Sequence, residues 1–178
     1  MSSRKCLSNP DTFCYICGDF TTANNRRKIT EFIEKAYHTY FGVKLGDQNK
    51  TWAPHTVCSN CRSILLRWTK GEQKSLAFGV PMVWRIPKDH STTECYFCAV
   101  KTAGFNSQNK HLIKYPNLLT AIRPIPHSDQ IPVPVFKGFA SETLVSKTLT
   151  FAKSVTFNFE PFAYDTLPTL PTLPTLTC

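Results

Sequence analysis

No run of apolar residues in this chain approaches the eighteen or so that a bilayer span requires, so a membrane-spanning helix is not expected. Residues Met1 to Lys5 are polar and basic, with no apolar segment behind them. No secretory leader is therefore expected, and the thiols are read as reduced in a soluble protein of the nucleus or cytoplasm. Acidic residues are scarce, 12 Asp and Glu against 21 Lys and Arg, which leaves a formal charge of +9. A field of that sign favours polyanionic partners such as DNA or RNA. The patterns that set a general base beside a metal, His-Glu-x-x-His and His-x-Glu, are also missing. The reading is accordingly not an enzyme, with no small-molecule substrate.

Cysteine is what the chain has in quantity: there are eight, six of them in the CxxC pairs 14/17, 58/61 and 95/98. In a reducing compartment, repeated CxxC spacing points to metal rather than to disulfides. A CxxC turn presents two thiolates to one side of an ion, and two such pairs complete a tetrahedron. Cys14, Cys17, Cys58 and Cys61 form the first expected zinc site. Gly18 lets the backbone turn after the first pair, and the second pair stands at the head of a helix whose positive end favours thiolate. The third pair needs partners from elsewhere. His90, Cys95, Cys98 and His127 form the second expected site, His127 following the stiff Arg123-Pro-Ile-Pro126 stretch, with His111 as the substitute for one histidine. Two zinc ions are thus expected. His55 finds no vacancy at the first ion and is read as a hydrogen-bonding neighbour or a competing ligand. Cys6 is near enough in sequence to join the first site in a less regular arrangement, and Cys178 is a terminal thiol without a role.

Apolar spacing predicts a helix over 28–41, through Ile29, Phe32, Ile33, Ala36, Tyr37 and Tyr40, ended by Gly42. A second helix is expected over 58–71, where Cys61, Ile64, Leu65 and Trp68 share one face. Turn residues between them suggest a hairpin within 42–53. Residues 78–84 read as an extended edge segment interrupted by Pro81. The fold class is a small α+β zinc-stabilised domain. Its first lobe, residues 1–76, is treble-clef-like with two helices, and a second Cys/His zinc lobe, 77–135, packs on it. Residues 136–178 end in a Thr-Leu-Pro repeat and are expected to be a disordered, extended tail, with a short strand at 154–159 as an option.

Basic residues surround the expected zinc sites: Arg26, Arg27 and Lys28 before the first helix, Arg62 and Arg67 on the second, and Lys101, Lys110 and Lys114 beyond the third pair. On a common face they would follow a phosphate backbone, with Asn24, Asn25 or Gln48 near bases. The alternative is a protein-interaction or homodimerisation module in which Trp52, Trp68 or Trp84 docks a partner. Backbone binding to nucleic acid weakens steeply with salt, whereas the alternative does not.

Several blocks carry a resemblance: FCYICG at 13–18, KLGDQNKTWAPHTVCSNC at 44–61, FGVPMVWR at 78–85, ECYFC at 94–98, and YPNL with AIRPIPH between 115 and 127. Over roughly residues 6–134 the chain resembles a family of uncharacterised cysteine-rich proteins of invertebrates, some associated with transposable elements. That resemblance implies a compact zinc-containing domain and no particular activity, and the Thr-Leu-Pro end departs from the family pattern. In its four-cysteine plan alone the chain is also similar to the zinc-finger-associated domain of insect transcription factors, a dimerisation module. The third pair and the residues after Gly79 have no counterpart there.

Overall fold

Thr30 decides where the first helix starts. Its side chain accepts a hydrogen bond from the Ile33 amide at 3.4 Å, and Glu31 and Glu34 follow at the positive end of α1, Glu31–Phe41. Gly42, at φ 71°, ends it by donating its amide to the His38 carbonyl at 2.8 Å. Ile33, Ala36, Tyr37 and Tyr40 form the buried face. The helix begins three residues later than its apolar spacing suggests, because Arg26–Lys28 is a strand, β1, paired antiparallel with β2, Thr56–Cys58. In the second helix, α2, Ser59–Thr69, Cys58 is the cap: its sulfur accepts the Cys61 amide at 3.3 Å. Cys61, Leu65 and Trp68 are buried along α2, which packs on α1 with the Tyr40 and Trp68 rings 4.8 Å apart, edge to face.

The computed structural model describes residues 6–72 and 75–139. The strand option at 154–159, the Thr-Leu-Pro repeat and Cys178 lie outside the described residues. Between α1 and β2 no hairpin forms. The Tyr15 hydroxyl accepts the Gly46 amide at 3.1 Å, and the Gln48 side-chain amide donates to the Gly46 and Pro54 carbonyls at 3.3 and 3.2 Å. Side chains thus supply the bonds that a strand ladder would have made. The extended run at 78–84 is broken where Pro81 was expected to interrupt it, giving β3, Phe78–Val80, and β4, Val83–Trp84. These pair antiparallel with two short strands from the end of the unit, β4 with β5, Ala121–Ile122, and β3 with β6, Ile125–Pro126. A single helical turn, α3, Tyr96–Ala99, carries the last cysteine pair.

The result is a small α+β unit in which three helices and two-stranded antiparallel sheets share one core. Its centre is aromatic. Phe13 lies 5.5 Å from Tyr96 and 5.4 Å from Phe97, and Trp84 stacks on Phe97 at 5.4 Å and 14°. Residues from both 6–76 and 77–135 contribute. The folded unit also runs a few residues past 135, since Phe136 packs on Trp68 at 5.1 Å and Phe139 on Phe32 at 5.5 Å. No helix among the described residues is long and apolar enough to cross a membrane.

Candidate metal centres

The first pair of cysteines sits on a tight turn closed by an antiparallel bridge between Phe13 and Phe20. The Cys14 amide donates to the Asp19 carbonyl at 2.9 Å and the Gly18 amide to the Cys14 carbonyl at 2.8 Å. Gly18 is at φ 76°, a left-handed conformation that other residues adopt only at a cost. A bond of 2.8 Å from the Tyr15 amide to the Thr56 carbonyl holds this turn beside β2, and so beside Cys58 and the first turn of α2. The four sulfurs of Cys14, Cys17, Cys58 and Cys61 consequently lie within 4.8 Å of one another, Cys17 to Cys58 at 4.0 Å. Tetrahedral metal–sulfur bonds of about 2.3 Å place sulfurs about 3.8 Å apart. A disulfide would require about 2.05 Å, and all four thiols are free.

The electrostatics say the same thing. Cys58 is held well below the ordinary thiol value, because Cys14, Cys17 and Cys61 all point hydrogen bonds at its sulfur. Cys17 is pushed well up by its hydrogen bonds with Cys14, Cys58 and Cys61 and then by burial, and Cys61 is pushed up chiefly by its hydrogen bond with Cys14. Burial and neighbouring sulfurs thus disfavour ionising these thiols together, and a cation placed among them would favour the thiolates.

The second group is Cys6, His90, Cys95 and Cys98, whose donor atoms again lie within 4.8 Å of one another. The Cys6 sulfur is 3.7 Å from the Cys95 sulfur and 3.3 Å from Nδ1 of His90, and Cys98 is 3.7 Å from that nitrogen. A tetrahedral site with sulfur at about 2.3 Å and nitrogen at about 2.05 Å gives sulfur–nitrogen separations of about 3.6 Å. Cys95 and Cys98 are buried while His90 is exposed. Burial, followed by the charge of Cys95, pushes Cys6 up to about 12, and burial raises Cys95 as well.

Here the sequence reading needs correction at one position. Cys6, and not His127, stands with His90, Cys95 and Cys98. His127 spends Nε2 on the Tyr40 hydroxyl and Nδ1 on the Ile131 carbonyl, both at 3.0 Å, which fixes it against α1. Cys6 is delivered by its neighbour Ser8, whose amide donates to the Phe97 carbonyl at 3.0 Å and whose hydroxyl donates to the Val100 carbonyl at 3.0 Å. A turn presents His90, the Ser91 amide donating to the Asp89 carboxylate at 2.7 Å, and hydrogen bonding from the Ser91 side chain and then from its amide holds Asp89 below its ordinary value. His111 is exposed and belongs to neither group. His55 is a partner of Asp11, whose carboxylate meets both its backbone amide, at 2.7 Å, and Nδ1, at 3.0 Å. The one signal in the sequence that pointed to Cys6 was a CxxC pair short of donors, with one unassigned cysteine at the near end.

The basic residues do not all stand alike. Arg27 and Lys28 are exposed on β1, which lies against α2, while Arg26 turns inward to the Thr21 carbonyl at 3.0 Å. Arg62 is half-buried, and Arg67 faces Glu72 at 3.9 Å. Lys101 and Lys114 are exposed. Lys110 lines a cleft of about 490 Å³ that also contains Asn25, Ser59 and Asn60 at the head of α2. Gln48 is turned onto backbone carbonyls. The tryptophans proposed as docking residues, Trp52, Trp68 and Trp84, are all buried, Trp68 donating to the Pro134 carbonyl and Trp84 to the Tyr15 carbonyl. Comparison with known protein families, curated proteins and solved structures finds no match to this chain.

Proposed function

We propose that this protein is a structural zinc module, holding two zinc ions, that binds nucleic acid through its basic surface in the nucleus or cytoplasm. The observation that carries the metal half is the pair of four-donor groups, each with its donor atoms all within 4.8 Å of one another. Thiolate and imidazole donors in that geometry suit zinc. Catalytic zinc keeps a position open for water, and four protein donors at each site leave none, which favours a structural role over an enzyme. Around the first ion, a cysteine turn, the β1/β2 pairing with α1 inserted in its connection, and a second pair at the head of α2 support the treble-clef reading.

The nucleic-acid half is supported by exposed cations on the described surface. Lys28, Lys101 and Lys114 are exposed and make no ion pair among the described residues, and Arg27 is exposed although its guanidinium donates to the Asn24 and Arg26 carbonyls, both at 2.8 Å, whereas Arg26 turns inward and Arg67 faces Glu72. The alternative, docking of a protein partner or a second copy through tryptophan, has lost its three named anchors to the core.

The test is binding of the full zinc-loaded chain to mixed-sequence duplex and to single-stranded nucleic acid across a salt series. Four phosphate contacts predict a slope of about −3.6 in log K against log salt. Charge reversal at Arg27 and Lys28 lowers affinity and flattens that slope with both ions retained. Absence of binding even at low salt overturns the nucleic-acid reading and makes a protein partner the better one.

A further inference from the structure

Two backbone bonds within the first cysteine turn, from the Cys14 amide to Asp19 and from the Gly18 amide to Cys14, leave the carbonyls of residues 15–18 without partners from the turn itself. These successive carbonyls are taken by groups from the other half of the unit. Trp84 Nε1 donates to Tyr15 at 2.7 Å, the Met82 amide to Ile16 at 2.8 Å, Arg123 to Cys17 at 3.0 Å, and the Tyr96 hydroxyl to Gly18 at 2.9 Å. Tyr96 lies between Cys95 and Cys98, so a residue inside one CxxC pair holds the backbone that follows the other. The traffic runs both ways, because Phe13, next to Cys14, packs on Tyr96 and Phe97. Arg123 ties the two together. One guanidinium nitrogen reaches both the Cys17 carbonyl and the Tyr96 hydroxyl, at 3.0 and 3.1 Å, and the other pairs with Asp19 at 2.9 Å.

We infer that the two metal centres fill cooperatively, with Tyr96 and Arg123 as the positioning residues that couple them. The inference rests on reading both groups as metal sites. An ion at the first centre orders the turn from Cys14 to Asp19, and with it the carbonyls that receive Tyr96 and Arg123. The α3 turn is then already in place when the second ion arrives, so the ordering cost is met once instead of twice. Charge opposes this: a divalent ion leaves four thiolates at a net −2 and three thiolates with a neutral imidazole at −1. The Arg123 guanidinium on the Cys17 carbonyl offsets part of that repulsion. Linkage requires the effect to be reciprocal, each ion raising the affinity of the other by the same factor.

Titration of the metal-free full chain with Co²⁺ tests this, since four-sulfur and three-sulfur, one-nitrogen sites differ in their absorption. In the native chain both spectra grow together to two equivalents. Cys6→Ser, which weakens the second centre so that it stays empty while the first fills, weakens the first by about tenfold or more, and Cys61→Ser weakens the second to the same degree. Tyr96→Phe, which keeps the ring and removes only the hydroxyl, still binds two ions but with the mutual effect reduced. Unchanged affinity at the first centre in Cys6→Ser overturns the coupling and leaves the metal reading standing. Failure of the native chain to bind Co²⁺ at either centre overturns both.

Discussion

Replacing Cys6 by serine isolates the one ligand that separates the observed second centre from the expected one. The substitution is nearly isosteric, and the segment stays tethered, because Ser8 keeps its bonds to Phe97 and Val100. What changes is the donor set, from three thiols and an imidazole to two thiols and an imidazole. Structural zinc sites contribute about 10–16 kcal/mol of apparent binding free energy, so one donor in four is worth about 3 kcal/mol, or about a hundredfold in affinity. Competition with a chromophoric chelator reads that loss directly. The contrast is His127→Ala, which removes the hydrogen bond to Tyr40 and costs about 1 kcal/mol of stability while leaving both ions bound. Two ions held with native affinity by Cys6→Ser, or one ion lost by His127→Ala, would refute the assignment.

Acid is expected to release metal from these sites, and the raised thiols fix the sign. Burial and neighbouring sulfurs raise Cys6 to about 12 and also raise Cys95, so at neutral pH both carry protons that an incoming ion must displace. Once bound to metal those thiolates behave as groups depressed below their unfolded value. Their contribution to stability is present above the ordinary thiol value of 9.0 and is lost as pH falls. Calorimetric titration in buffers of different ionisation heat is expected to show at least two protons released at the second centre; one or none would contradict it. A separate expectation concerns the close approach at the first turn. A Cβ on Gly18 would meet the Met82 sulfur at 2.7 Å and an Arg123 nitrogen at 2.9 Å, whereas one on Gly42 meets nothing within 4 Å. Both glycines have positive φ, so Gly42→Ala costs about 1 kcal/mol in denaturant melts and Gly18→Ala about 1–3 kcal/mol more. Equal losses would show that the packing around the turn is slack.

The sequence by itself determined whatever depends on neighbours along the chain. A CxxC turn brings two sulfurs together over four residues, Thr30 and Gly42 cap a helix with an amide and a carbonyl in local reach, and Pro81 breaks a strand because it has no amide to give. Those signals were enough for both helices, the first four-cysteine group and three of the four donors of the second. Tertiary structure decided the rest. The hairpin expected before β2 gives way to bonds from Tyr15 and Gln48, and three tryptophans that might have faced a partner complete the core. The choice among His90, His111, His127 and Cys6 turned on where Ser8 and Tyr40 lie, 92 residues from Val100 in one case and 87 from His127 in the other. Spacing along the chain says which donors come in pairs. Which pairs and single donors meet is settled by how distant segments pack, because a hydrogen bond across such separations leaves no periodic trace in the sequence.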